Sequence, residues 1–474
     1  MIDKKNDRYA EAWDAEVDVL IAGAGAAGLA AAVEAAGAGA QTLVLEKQAK
    51  YWDCSTALSG GSVAFAGTDF QKRKGIHDSN DLLHKDLMEV GQWKNDEKLV
   101  QAYVRNQLDT YHWLMRLGVK WANVEAMAGM SAPRGHRLDP LELVKTLKQT
   151  AESKGATILF QTSLTGLVTD EGKRVIGITA EETTGTTRVR ARRGVVLACG
   201  GFGWDPKRVN RIDPRFSKVL VASGRGNTGD GHKMAEKLGA YLKDVEYVKP
   251  SFGMHVTGTS AVENFHGYYF GAIIVNKKGE RFVNESLSYK DIAMASLEQS
   301  DAIGYQIFDQ KIYEAGVRAV ETSEMPLPQH SKGLDQARIN LLVKANTIEE
   351  LASRINVPPE TLKQTIDRYN TQADAGKDLD FGRTTLSGGV GRIARIDTPP
   401  FYTYETKAAL VGTYGGIAID EHMHVLTRQG KIPGLYAAGE IIGGFHGASY
   451  MSGTSVGKAI IFGRIAGRNA AKGL

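Results

Sequence analysis

Residues 17 to 22, VDVLIA, form an unbroken apolar run, the pattern of a strand buried on both faces of a parallel sheet. GAGAAGLAAAVEAAGAGA then turns and continues as a helix of small residues, and QTLVLEK reads as a second strand ending at Glu46. Together they predict a strand–helix–strand unit. Apolar positions recur at helical spacing between residues 80 and 118, as in NDEKLVQAYVRNQLDTYHWLMRLG. Residues 140 to 200 predict a helix, strands around the hairpin-like TDEGKRVIG, and a buried strand GVVLACGG entering a glycine turn. Near residue 246 the pattern changes to aromatic loops, a strand GAIIVN, and the helices TIEELASRI and PPETLKQTIDRYN, which open on Thr or Pro followed by acids. From PPFYTYETKAAL onward the glycine-rich pattern returns. The expected fold class is α/β. A doubly wound, Rossmann-like domain is built from residues 1–245 and 395–474, with a second, α+β domain, residues 246–394, inserted between them.

Composition narrows the picture. The 474 residues allow two or three domains, and 42% hydrophobic with 24% charged residues is an ordinary globular balance. Net charge is +4 and no Lys/Arg-rich run occurs, so a nucleic-acid partner is not expected. Cys54 and Cys199 sit in different motifs, without a disulfide framework or a haem-attachment pattern, and no metal site is expected. The opening MIDKKNDRYAEAWDAE lacks the apolar stretch of a signal peptide, and the small-residue run at 19–40 carries Glu34, so neither a leader nor a membrane span is expected and the cytoplasm is the default location.

Gly23, Gly25 and Gly28 stand as Gly-x-Gly-x-x-Gly between the first strand and its helix. Gly23 suits the tight turn, Gly25 lets backbone approach a pyrophosphate, and Gly28 lets helix and strand pack closely. The helix start at Ala26 and Ala27 attracts phosphate. A carboxylate at Glu46 can accept hydrogen bonds from ribose hydroxyls, which disfavours a 2′-phosphate. This unit serves FAD or NAD; three further stretches point to FAD. ALSGGS (57–62), with Ser59, Gly60 and Gly61, is a loop past which a flat ring and ribityl chain could run. GNTGDG (226–231) offers Asp230 to a hydroxyl, and IPGLYAAGEIIGG (432–444) offers Gly439 and Glu440 to the ribityl or ribose side. Lys47, Ser55, Leu164 and Gly200 complete the expected cofactor-binding set.

With GERFVNE (279–285) and FGRIAG (462–467), these stretches resemble the FAD-binding domain of the fumarate reductase/succinate dehydrogenase flavoprotein superfamily over nearly the whole chain. The resemblance implies that the inserted domain, residues 246–394, is a cap (substrate) domain, with substrate held between it and the isoalloxazine. It also implies a helix starting near Gly453 aimed at the flavin pyrimidine edge, with Ser455 and Val456 supplying amides. The ALSGGS region lacks the histidine to which membrane-complex relatives attach FAD, so noncovalent FAD is expected. The chain carries neither a haem domain nor an extra flavin module, so a separate electron donor or acceptor is expected.

Soluble fumarate reductases of that superfamily bind a dicarboxylate with arginine and histidine and protonate carbon with an arginine. Here Tyr289 has the spacing of the proton-donating arginine, Tyr450 in HGASY replaces a carboxylate-binding arginine, and LVGTY lacks the histidine. Without those cations, burying a dicarboxylate is costly, whereas a phenol suits a neutral ketone oxygen. The pattern resembles the 3-ketosteroid dehydrogenases, and SGTSVGKAIIFGRIAG is closest to their Δ4-acting branch. The region 118–137 has Trp121 and lacks the tyrosine of Δ1-type relatives, which leaves smaller cyclic ketones open. The resemblance implies that Tyr450 and the amide of Gly453 or Thr454 polarise the ketone. Tyr289, its pKa lowered by Lys290, would take the α-proton while the β-hydride moves to the flavin; the reverse reduces an enone. Two alternatives stay open: reduction of an α,β-unsaturated acid with Lys290 or Tyr289 as the acid, and a flavin-binding subunit without catalysis. His446 and His266 read as structural or rim residues, and Lys249 and Arg134 as solvated surface cations, with a substrate carboxylate as the alternative partner.

Overall fold

The apolar run at 17–22 lies at the centre of the larger sheet. In the computed structural model, which describes residues 13–183, 185–258, 263–321, 334–386 and 391–473, strand Ala15–Ala22 pairs in parallel with Thr42–Leu45 on one side and Gly185–Leu197 on the other. Thr157–Leu159 and Gly430–Ala437 extend this parallel order outward, and His424–Thr427 closes one edge antiparallel. The hairpin read around TDEGKRVIG is present as Ser163–Thr169 and Val175–Glu182, which joins the sheet through Gly185–Leu197. Because the parallel strands end at one edge, the turns after Ala22, Leu45, Leu197 and Ala437 converge there. That edge is where doubly wound sheets bind ligands. The polar segment at residues 1–12, read as lacking a signal peptide, lies outside the described residues.

A second, six-stranded sheet is organised around Phe401–Leu410, which pairs antiparallel with Ser251–His255, Ile303–Phe308 and Val343–Ala345 and in parallel with Leu220–Val221. It therefore draws strands from both sides of residues 246–394. Its own apolar cluster includes Phe265, Ile307, Leu351, Leu362 and Tyr404. Two helices lie over it as the sequence predicts: Ile348–Arg354, with Thr347 as N-cap accepting from the Glu350 amide, and Pro359–Asp374, with proline in its first turn.

The helix after the first strand, Ala26–Gly37, packs along the last helix, Thr454–Lys472. FGRIAG explains how closely. A β-carbon at Gly463 would collide with the carbonyl oxygen of Ala27, and one at Gly467 with that of Ala31. Two glycines four apart thus form one bare stripe facing a helix of alanines. Among the described residues no helix is long and apolar enough to cross a membrane, and no group of three or more His, Cys, Asp or Glu could hold a metal ion.

Candidate active site

A long cleft runs from the converging strand ends to the underside of the second sheet. It is lined by Gly23, Gly25, Ala26, Ala27, Glu46, Lys47, Ser55, Ser59, Gly60, Gly61, Leu164, Gly200, Asp230, Gly439, Glu440, Gly453, Ser455 and Val456, and at its far end by Tyr289 and Tyr450. Of the residues expected from sequence to bind cofactor or take part in the reaction, Gly28, Lys290 and Thr454 stand outside the lining. Gly28 lies in the helix–strand contact, where a β-carbon would collide with the Gly23 carbonyl oxygen. This is the packing role its position in the motif requires.

The strand-end portion fits a dinucleotide. A β-carbon on Gly25 would approach no protein atom nearer than 4.0 Å and would project into the cleft, so the bare backbone leaves room for a pyrophosphate at the helix start. Two acids are already engaged. Glu46 accepts from the amides of Ala24 and Gln48, both at 2.8 Å, so the carboxylate expected to face only ribose also ties the turn to its strand. Asp230, expected to hold a hydroxyl, is paired with Lys47 at 2.8 Å and accepts from Thr228 at 2.6 Å. Glu440 is half-buried and accepts from Asn227 and from the Thr413 amide, both at 2.8 Å, and desolvation raises its carboxyl pKa.

These contacts yield a prediction. Gly25→Val should fold normally but lose at least tenfold in FAD affinity, because its branches fill the space the backbone leaves. Gly28→Ala should instead lower the melting temperature of the FAD-free protein, since its methyl has no room. Titration with FAD and thermal melts of the two variants check the contrast. Wild-type FAD affinity in Gly25→Val would contradict it.

The far end is aromatic. Tyr289 opens helix Tyr289–Ser296, with Ser288 as N-cap accepting from the Asp291 amide. Glu285 anchors the chain just before it. Its carboxylate pairs with Arg281 at 2.6 Å and accepts from the Ile274 amide, and Arg281 also pairs with Asp378 at 2.9 Å. The Tyr289 hydroxyl lies 3.1 Å from Ser452 Oγ. Tyr450 stacks on Tyr414 with centroids 4.7 Å apart, and its hydroxyl accepts from the Gly453 amide at 3.1 Å. The Gly453 amide, expected to help hold a ketone, therefore braces Tyr450 instead. Gly453 adopts φ 82° at the helix start, a conformation glycine favours.

Burial pushes the phenols of Tyr289 and Tyr414 well above the usual range and raises that of Tyr450, where bonds from Ser455 and Gly453 oppose the shift. The expectation that Lys290 lowers the Tyr289 pKa fails. Lys290 is buried behind the phenols, donates to the Lys249 carbonyl at 2.9 Å and lies 4.5 Å from the Tyr414 ring centroid, and burial pushes its own pKa down to about 7. Arg134, read as a surface cation, is fully buried between Asp78 at 2.8 Å and Asp86 at 2.7 Å. Lys249 pairs with Asp291 at 3.5 Å, His446 is buried beside Tyr414, and His266 lines the cleft. Trp121 stacks on Tyr111 in the core.

Several lining residues escape the sequence reading: Asn227, Thr413, Tyr414, Ser452, Lys458, and the arginines Arg137 and Arg338. Tyr414 and Asn227 sit inside the noted stretches LVGTY and GNTGDG. Lys458 had a signal of its own, as a lone lysine in the otherwise small and apolar SVGKAIIFG.

Residues 18–456 match the family of FAD binding domains. The chain belongs to that family. It is 32% identical over 464 residues to the fumarate reductase (cytochrome) of Shewanella frigidimarina, covering 96% of this chain and 77% of that protein. It is 32% identical over 480 residues to the urocanate reductase of Eggerthella lenta, covering 97% and 75%. Among solved structures, 3-ketosteroid-Δ4-(5α)-dehydrogenase from Rhodococcus jostii RHA1 in complex with 4-androstene-3,17-dione is 30% identical with a TM-score of 0.75, covering 98% of this chain and 99% of that one. The protein is thus an FAD-dependent oxidoreductase of the fumarate reductase superfamily, with the FAD-binding fold the sequence predicts.

Proposed function

We propose that this flavoprotein reduces the carbon–carbon double bond of an enone, a C=C conjugated to a neutral ketone. The carrying observation is the pair of half-buried phenols, Tyr289 and Tyr450, at one end of a cleft whose other end fits FAD. When bound, FAD exchanges hydride with carbon. The remaining work falls to the chain. With its oxygen already accepting from the Gly453 amide, Tyr450 has its own hydrogen to give to a ketone oxygen. That bond strengthens as negative charge grows on the oxygen. Tyr289 is held neutral by burial, which suits it to give a proton to the α-carbon, and Ser452 steadies its hydroxyl. A neutral phenol favours the reductive direction over the desaturation expected from sequence, and the relatives named as reductases support the same choice.

In this reading FAD is bound without a covalent link and reduced by a separate electron donor. We divide the chain as residues 1–245 and 395–474 for the cofactor and 246–394 as the cap, with strand Phe401–Leu410 joining the cap sheet. Both cysteines are free, in keeping with a cytoplasmic location. A second reading, reduction of an unsaturated carboxylic acid, draws support from Arg137 and Arg338, which line the same cleft; Arg137 bears electrostatically on Tyr450. Each is already paired, Arg137 with Glu125 at 2.6 Å and Arg338 with Asp335 at 2.7 Å, which weakens that reading.

Anaerobic mixing of reduced protein with a matched panel of cyclic enones and unsaturated acids, read by return of flavin absorbance, decides between them. Reoxidation by enones at least tenfold faster than by fumarate or acrylate is expected. The reverse order would overturn the ketone reading.

A further inference from the structure

Lys458 is 2% exposed, lines the cleft, and has no hydrogen-bond or ion-pair partner among the described residues. It lies on helix Thr454–Lys472, where Ser455, Val456, Lys458 and Ala459 form the face turned to the cleft. An ammonium taken from water without a counter-ion is costly, and such a charge persists where something else meets it. The nearby acids do not do so directly. Glu440 and Asp244 attract Lys458 electrostatically, but neither forms an ion pair with it: Glu440 accepts from Asn227 and Thr413, and Asp244 accepts from the Gly444 amide at 2.9 Å. His446, from the segment before the helix, is kept neutral by burial and by Lys458 itself. What remains beside the ammonium is the cleft.

We propose that Lys458 is the counter-charge of reduced FAD: an ammonium held in the cofactor cleft to balance the negative charge the flavin acquires with two electrons. Oxidised FAD is neutral at its ring and gains little from the contact, so Lys458 favours the reduced state and raises the midpoint potential. The helix N-terminus at Gly453 adds its partial positive charge on the same face. Burial brings the Lys458 pKa down to about 8, so the side chain can also lose its charge within an accessible pH range. The inference requires bound FAD and is independent of the substrate.

Sulfite tests it without turnover. Sulfite donates an electron pair to the oxidised flavin, forming a sulfur–nitrogen bond and leaving the ring with one negative charge, so a neighbouring cation strengthens the adduct. In Lys458→Met holoprotein the sulfite dissociation constant should rise about 10- to 100-fold, the scale of one charge at close range in a protein. Lys458→Arg should keep most of the wild-type affinity, and the midpoint potential should fall in the Met variant alone. Unchanged sulfite affinity and potential in a yellow Lys458→Met protein would overturn the proposal, as would equal losses in Met and Arg variants.

If the Met variant holds no flavin, wild-type potentiometry across pH decides. Above about pH 8 oxidised protein has lost the Lys458 proton while the reduced anion retains it. Reduction should then take up one extra proton, and the potential should fall more steeply with pH. No steepening between pH 7 and 10 would refute it. A colourless wild type would point instead to failure of FAD binding.

Discussion

Tyr289→Phe is expected to lower enone reduction by ~10²–10⁴-fold, the range for removal of one positioned general acid, with little change in substrate or FAD affinity. The ring fills the same space against His266, so only the hydroxyl and its contact with Ser452 are lost. Single-turnover reoxidation of reduced flavin isolates the step. Lys290→Met provides the contrast. Its ammonium faces the Lys249 carbonyl behind the phenols, so the variant should retain most turnover. A dead Lys290→Met beside an active Tyr289→Phe would reassign the proton and favour the unsaturated-acid reading.

Tyr450→Arg should reverse the substrate order. In the ketone reading the phenol gives one hydrogen bond to the carbonyl oxygen, whereas a guanidinium at the same place offers a fork that matches a carboxylate. Tyr450→Phe should cost ~3–4 kcal/mol in the transition state, typical of one lost oxyanion donor, and less in ground-state binding, where the oxygen carries less charge. Flavin spectral shifts with a cyclic enone and with fumarate measure both variants. Tighter fumarate than enone binding by wild type would show that the phenol does not select a ketone.

What could be read from the chain and what could not divide along physical lines. Gly23, Gly25, Gly28 and the strand on either side of their helix carry their geometry locally, since turn, spacing and apolar run lie within a short stretch. The hairpin, the capped helix near 347 and the proline-led helix near 359 were legible for the same reason. Partners distant in sequence were not. Arg134 reads as a surface cation until the fold brings Asp78 and Asp86 against it. Lys290 adjoins Tyr289, yet successive residues on a helix point apart by roughly 100°, so one faces the cleft and the other the Lys249 carbonyl. Phe401–Leu410 shows neither boundary nor sheet in its sequence; its membership in the second sheet comes from strands earlier in the chain. Glu46 was legible as a carboxylate at the right place, but not as one already accepting two amides.

The glycine stripe of the last helix has a consequence for how the protein is made. The helix that opens the nucleotide site, Ala26–Gly37, leaves the ribosome well before the surface that covers it, at Gly463 and Gly467. At roughly 5–20 residues per second, the interval between the two is on the order of 20–80 s. Throughout that time an alanine face stands bare beside an unfinished sheet. Flavin loading therefore waits for the helix Thr454–Lys472, and a chain stalled between the two helices has its phosphate-binding glycines but no closed site to use them.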